Sequence, residues 1–328
     1  MIISRTPFRI SFVGGGTDLR DYYRHGYGAV VSTAIQKYVY VSVNKKFDDK
    51  IRVSYSQTEI VDDVDDLRHE LVREALKLAG IKNGIEVVTI ADIPGRGTGL
   101  GSSSSLTVGL LNALHTYLGQ KDLPETLARQ ACKIEIELLG QPIGKQDQYI
   151  AAYGGLNYIR FNADETILVE PVNLSKKKKR EFEENLMCFY TGITRKSSAI
   201  LNVQKKNVTN KLEVLDKMRD QADEVWKCLA KNDLTKFGEI LHEAWLLKKQ
   251  LASGITNPLI DSYYSKARRV GAFGGKISGA GGGGFLTLYC EKEKQPAVRK
   301  VLQDLKEMKI RFEPQGSKTI YSGEIGDE

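Results

Sequence analysis

Between Pro94 and Ser105 the chain reads Pro94-Gly95-Arg96-Gly97-Thr98-Gly99-Leu100-Gly101-Ser102-Ser103-Ser104-Ser105, with spaced glycines followed by four serines in succession. Holding a polyphosphate calls for many backbone N–H donors converging on a small volume. Glycines permit this by adopting positive φ and placing no side chain in the way. The serine hydroxyls add groups that bond phosphate oxygens or a hard cation. The run is not a Walker A loop, because no Gly-Lys-Ser/Thr ends it, and Gly97 to Gly101 lacks the G-x-G-x-x-G spacing of a dinucleotide turn. On these residues alone it reads either as a phosphate cradle or as a glycine-rich turn whose serines cap a helix, although four serines exceed what a cap requires. Two further segments carry chemistry: Gly144-Lys145-Gln146-Asp147-Gln148, with an aspartate in a loop, and the glycine cluster Gly274 to Gly284.

The flanking residues state how these loops are held. Ile85–Ile90 reads as a strand running into the first loop, and Leu106, Leu110, Ala113, Leu114 and Tyr117 fall on one face of a helix leaving it. The loop thus joins a strand to a helix N-terminus, where the helix dipole favours an anion. A second helix carries Leu127, Ala131, Ile134 and Leu138 at spacings of four, three and four and stops at Gly140, with Pro142 beyond. Upstream, Ile2–Ile3, Phe8–Val13 and Tyr38–Val43 read as strands and Leu67 to Ala79 as an amphipathic helix. Residues 156 to 172 return to strand pattern. Beyond them lies mostly helix, then the strand Phe285–Tyr289, a helix around Val298, Leu302 and Leu305, and a last strand, Thr319–Ser322. The lysine run from Lys176 marks an expected division near residue 180, giving units 1–180 and 181–328.

Composition narrows the class. The 328 residues are 41% hydrophobic and 27% charged, enough for an extensive core. No apolar run approaches the roughly 20 residues of a membrane helix, and the N-terminus lacks the charged-then-apolar order of a signal peptide, so a cytoplasmic location and no membrane partner are expected. Cys132, Cys188, Cys228 and Cys290 are too scattered for a redox or zinc motif, as are the four histidines for a transition-metal site. The formal charge of +7 suits nucleic acid, a membrane surface or an anionic small molecule. Lys176 to Arg180 is followed by Glu181, Glu183 and Glu184, the pattern of a solvated linker or helix end, so no nucleic-acid partner is expected.

Three motifs in order resemble those of the GHMP kinases: Arg5-Thr6-Pro7-Phe8-Arg9, Pro94 to Ser104, and Lys276-Ile277-Ser278-Gly279-Ala280-Gly281-Gly282-Gly283. The resemblance implies an α+β, two-domain GHMP kinase fold, with an N-terminal unit like domain 2 of ribosomal protein S5 and a ferredoxin-like C-terminal unit with extra helices. It implies ATP and Mg²⁺ as cofactors and assigns Pro94, Gly97, Gly99, Leu100, Gly101, Ser102, Ser103 and Ser104 to the nucleotide. By the same resemblance Asp147 accepts or orients the proton of the attacking hydroxyl, Glu135 and Ser103 hold the metal, and Arg9 stands beside Asp147 to stabilise the transition state. Ser278 and Gly279 come in as substrate contacts.

The form Gly14-Gly15-Gly16-Thr17-Asp18 departs from the Gly-Glu-His of galactokinase and mevalonate kinase. With Gly144 to Gln148 and Tyr190 to Arg195, it resembles the bacterial heptose 7-phosphate kinases, with fucose kinases as the nearest competitor. That resemblance implies a sugar phosphate as the small-molecule partner, phosphorylated at its anomeric hydroxyl, and leaves a homodimer open. Gly15, Gly16, Thr17 and Asp18 are the expected sugar contacts, and Lys145, Arg195 or Lys196 the expected contact to the substrate's own phosphate. A non-catalytic nucleotide-binding regulator and an RNA-binding protein are the other readings of this chain.

Overall fold

The structure, a computed structural model, describes residues 1–94, 97–194 and 197–323. The two amino-terminal strand signals form one strand, β1 (Ile2–Val13), paired antiparallel with the nineteen-residue β2 (Tyr27–Lys45). Pro7 has no N–H to give to a ladder, and the register shifts between Pro7 and Phe8; a second irregularity falls between Ser11 and Val13. Arg9 therefore sits on the short regular stretch between them, opposite Ala34.

Strand β2 forks. Its first half pairs with β6 (Leu156–Asn162) and its second with β5 (Ile85–Ala91), while β3 (Ile51–Ser54) and β4 (Thr58–Val61) extend the sheet beyond β5 and β7 (Ile167–Pro171) extends it beyond β6. The short α1 (Arg20–Tyr23) follows β1, and α2 (Glu70–Leu78) fills the predicted amphipathic segment. Helices α3 (Ser102–Tyr117), α4 (Pro124–Cys132) and α5 (Gln146–Tyr153) pack on one another, and α3 and α5 also cover β1 and β2.

The second helix departs from its expected winding. After Cys132 the chain widens into a π-helical stretch, Lys133–Leu138. The wider turn shifts the phase of the side chains: Leu138, expected on the core stripe, is 50% exposed, while Glu135 is fully buried. An acidic side chain is thereby carried into the interior.

Helix α6 (Lys176–Asn185) contains the lysine run, with Ser175 capping it and Lys178 and Arg180 paired to Glu181 and Glu184 of the same helix. It leads into β8 (Leu186–Tyr190), α7 (Ser197–Asn207), α8 (Leu212–Ala230), α9 (Leu234–Lys248), α10 (Pro258–Arg269), β9 (Gly274–Ile277), β10 (Phe285–Tyr289), α11 (Gln295–Val301) and β11 (Lys306–Met308). Its sheet, in the order β11-β8-β10-β9 with every pair antiparallel, has the ferredoxin-like arrangement. Strand β8 escapes a periodicity search because its apolar run is almost wholly buried and does not alternate. The helix expected through Leu305 ends at Val301, and Leu305 lies in the turn beyond, its N–H bonded to the Leu302 carbonyl. The final strand, β12 (Lys318–Ser322), returns to pair with β1. We propose α6 as the passage between the two units, with β12 as a late addition to the first sheet. All four cysteines are free and buried, and among the described residues no helix is long and apolar enough to cross a membrane.

Phe182 of α6 ties the units together. Its ring lies 5.6 Å from that of Phe12 on β1, 4.7 Å from Phe237 on α9, 6.1 Å from Tyr289 on β10 and 5.4 Å from Phe312. Phe182→Ala should therefore lower the unfolding free energy by about 3–5 kcal/mol, read from a urea titration.

Candidate active site

The described loop residues Gly97, Gly99 and Gly101 all have positive φ, 73°, 73° and 79°. The surroundings also crowd all three, with Thr194 Cβ 3.0 Å from where a Cβ on Gly97 would lie. A Cβ on Gly99 would run into the Ser278 carbonyl of the second glycine loop, and one on Gly101 would press on the Arg9 side chain at 3.1 Å. Gly101 is the N-cap of α3, so the first N–H groups of that helix are left for an external acceptor.

The four serines divide their work. Ser105 Oγ donates to the Pro7 carbonyl at 2.8 Å, tying α3 to β1, and Ser102 Oγ shares a hydrogen bond with Thr98. Ser103 is exposed, and Ser104 Oγ is buried with no well-formed hydrogen bond among the described residues. Ser102, Ser103 and Pro94 line an open cavity that continues over Val39, Ile90, Ile93 and Leu106, an apolar surface next to a polar loop end.

Across the loop, Arg9 forks onto Asp147. Nε donates to Oδ1 at 2.7 Å and Nη2 to Oδ2 at 2.6 Å, while Nη1 donates to the Gly99 carbonyl at 2.6 Å. One guanidinium thus connects β1, the first turn of α5 and the glycine loop. The Asp147 side chain remains 23% exposed, and each of its oxygens keeps a second lone pair for a hydroxyl.

Glu135 approaches from the π-helical stretch. Gln148 Nε2 donates to its Oε2 at 2.6 Å, but Oε1 has no well-formed partner among the described residues. Burial pushes its carboxyl up to about 7, opposed by the nearby Ser104 and Ser103 hydroxyls and by Gln148. Among the described residues no cluster of three metal-binding side chains exists, so a cation here would draw on few protein ligands.

A second pocket lies beside Asp147, lined by Arg9, Ser11, Gly15, Gly16, Asp18, Gly144, Gln146, Gln204, Lys248, Lys276 and Gly279. Asp18 is buried. Its Oδ1 accepts from Gly16 N–H at 2.9 Å and its Oδ2 from Gln146 N–H at 3.3 Å, binding the β1–α1 loop to the start of α5. Burial raises its carboxyl above the usual range, with Gly16 N–H pulling it down and Asp147 adding to the rise.

Comparison with known proteins gives this geometry a family. Residues 68–155 match the GHMP kinases N terminal domain and residues 226–308 the GHMP kinases C terminal domain. The chain belongs to the GHMP kinase family. It is 29% identical to the D-glycero-alpha-D-manno-heptose 7-phosphate kinase of Campylobacter jejuni, over 92% of this chain and 93% of that one. It is 28% identical to the L-fucokinase/L-fucose-1-P guanylyltransferase of Bacteroides fragilis, over 91% of this chain but 35% of that larger protein. Among solved structures it resembles a D-glycero-D-manno-heptose 1-phosphate kinase from Bacteroides thetaiotaomicron, with a TM-score of 0.80 and 25% identity over 98% of this chain and 100% of that one. The two-domain GHMP fold follows, with ATP as the phosphate donor.

In this GHMP kinase the structure brings Arg9, Asp147, Asp18, Gly15, Gly16 and Gly279 to one pocket and joins the loop Gly97–Ser104 to it through Gly99, Leu100 and Gly101. Other expected contacts lie elsewhere. Thr17 is buried with its hydroxyl within hydrogen-bonding reach of the Gly14 and Ala29 carbonyls, Ser278 shares a hydrogen bond with Thr287, and Lys145 is paired with Glu165 beside the Tyr23 ring. Arg195 and Lys196 fall outside the described residues. Two charged pocket residues carried no assigned role in the sequence: Lys276, read only as part of its motif, and Lys248. The signal for Lys248 was present, since it continues the buried stripe Phe237, Leu241, Trp245 of α9 as a lysine on an apolar face.

The burial of Glu135 has a measurable consequence. A carboxyl whose folded value is raised from 4.5 to about 7 favours folding while protonated, and that contribution is lost as pH rises through the folded value. Nucleotide-free Glu135→Gln should therefore exceed the parent in unfolding free energy at pH 8 by about 2–3 kcal/mol, with the gap closing near pH 5, as read by urea titrations at both pH values.

Proposed function

We propose that this sugar kinase transfers the γ-phosphoryl group of ATP to the anomeric hydroxyl of D-glycero-D-manno-heptose 7-phosphate, giving the 1,7-bisphosphate. The observation that carries the reading is the Arg9–Asp147 fork set directly against the glycine loop; in this reading the carboxylate serves the acceptor and the loop serves the donor's phosphates. The Gly14–Asp18 form and the Campylobacter jejuni relative support the heptose assignment. The Bacteroides fragilis relative makes L-fucose the competing acceptor.

In this mechanism the backbone N–H groups at the start of α3 hold the phosphates, and the cavity over Val39, Ile90, Ile93 and Leu106 takes the nucleoside. Asp147 accepts the hydrogen bond of the anomeric hydroxyl and aligns it for in-line attack on the γ-phosphorus, with no phospho-enzyme. Arg9 fixes both oxygens of Asp147 and brings positive charge to the transferring group. Glu135 and Ser103 would hold Mg²⁺: the unpartnered Glu135 Oε1 and the serine hydroxyls at the helix end are the hard oxygen donors that ion prefers. When bound, the ion offsets phosphate charge. Asp18, with the open backbone of Gly15 and Gly16, faces the sugar hydroxyls.

An ADP-release assay across heptose 7-phosphate, mannose 6-phosphate, L-fucose and galactose tests the assignment. Heptose 7-phosphate should give the highest kcat/KM, and Asp147→Asn should lower kcat by about 10²–10⁴-fold. A clear preference for an unphosphorylated sugar would overturn it.

A further inference from the structure

Lys276 is only 5% exposed, yet its ammonium forms no hydrogen bond or ion pair among the described residues. A buried cation without a partner is costly, and it calls for a group that the protein itself does not supply. Lys248, 4% exposed, reaches the same pocket from α9 and donates to the Gly15 carbonyl at 3.1 Å and to Gln204 Oε1 at 3.3 Å, both neutral acceptors.

The other charges in the pocket compensate these two cations only in part. Arg9 is matched by Asp147 through two hydrogen bonds, so the two lysines face only Asp18, whose oxygens already accept backbone N–H groups. Fully ionised, three cations and two carboxylates leave one positive charge in an enclosed space. Burial, then the charges of Lys248 and Arg9, lowers Lys276 to about 7; burial is also the main cause that lowers Lys248 to about 8. An arriving anion would relieve that tension.

We infer that Lys276 and Lys248 receive the phosphate monoester already carried by the acceptor sugar, and that they set the preference for phosphorylated over free sugars. Their position points to the acceptor rather than to ATP. Both line the pocket with Asp18, Gly15 and Gly16, whereas the cavity beside Pro94, Ser102 and Ser103 contains neither. Of the expected contacts Lys145, Arg195 and Lys196, Lys145 is occupied by Glu165 and the other two lie outside the described residues.

This inference rests on the sugar-phosphate reading above, and the test separates the two. The ratio of kcat/KM for heptose 7-phosphate to that for the dephosphorylated heptose is measured in the parent, Lys276→Met and Lys276→Arg. Losing one buried charge-assisted contact should lower the ratio about 30- to 100-fold in Lys276→Met, with Lys276→Arg recovering part of it. An unchanged ratio, or a rise confined to the KM of ATP, overturns the inference while leaving the heptose assignment standing. Preference for a different phosphorylated sugar with the same Lys276 dependence removes the heptose assignment and supports the inference. Should Lys276→Met fail to fold, inorganic phosphate decides on the parent enzyme: inhibition competitive with the sugar supports the inference, and inhibition competitive with ATP alone, or none, contradicts it.

Discussion

The fork of Arg9 onto Asp147 is the contact on which the site depends. A guanidinium presents its donors in a fixed plane, so two hydrogen bonds to a carboxylate specify orientation as well as distance. The third hydrogen bond, to the Gly99 carbonyl, extends that specification to the glycine loop. A strand from the start of the chain, a loop from residues 97–101 and a helix beginning at Gln146 are thereby set relative to one another by a single side chain. The irregular pairing on either side of Arg9 is the local cost of presenting it.

A second constraint follows from how closely the backbones approach. The loop after β9 packs on the loop before α3 with Gly99 and Gly279 in contact, so the carboxy-terminal unit closes one side of the phosphate site and contributes Lys248 and Lys276 to the acceptor side. The pocket belongs to neither unit alone. Its charges are buried where each one needs an opposite or a ligand, and those left incomplete, Lys276 and one oxygen of Glu135, mark where external groups are required.

Much of this was legible in the residues. Periodicity placed α2, α3, β5 and β12 because each presents one apolar face or lies between clear turn signals. The glycine and serine types of the loop stated its chemistry, and the motifs named Arg9, Glu135 and Asp147. Other features depended on three dimensions. The turning-in of Glu135 arises from a π-helical stretch that a 3.6-residue period does not reveal, and Leu138 was misplaced for the same reason. Strand β8 lacks alternation because it is buried on both faces. Lys145 looked available as a cation only because Glu165, twenty residues on, is brought beside it by the hairpin between β6 and β7.

A double-mutant cycle on Arg9 and Asp147 tests the central claim most directly. With Arg9→Met, Asp147→Asn and the combined variant compared by kcat/KM, two residues acting as one unit predict that the double variant loses no more than the worse single one. Losses that multiply, as for independent sites, would contradict the account.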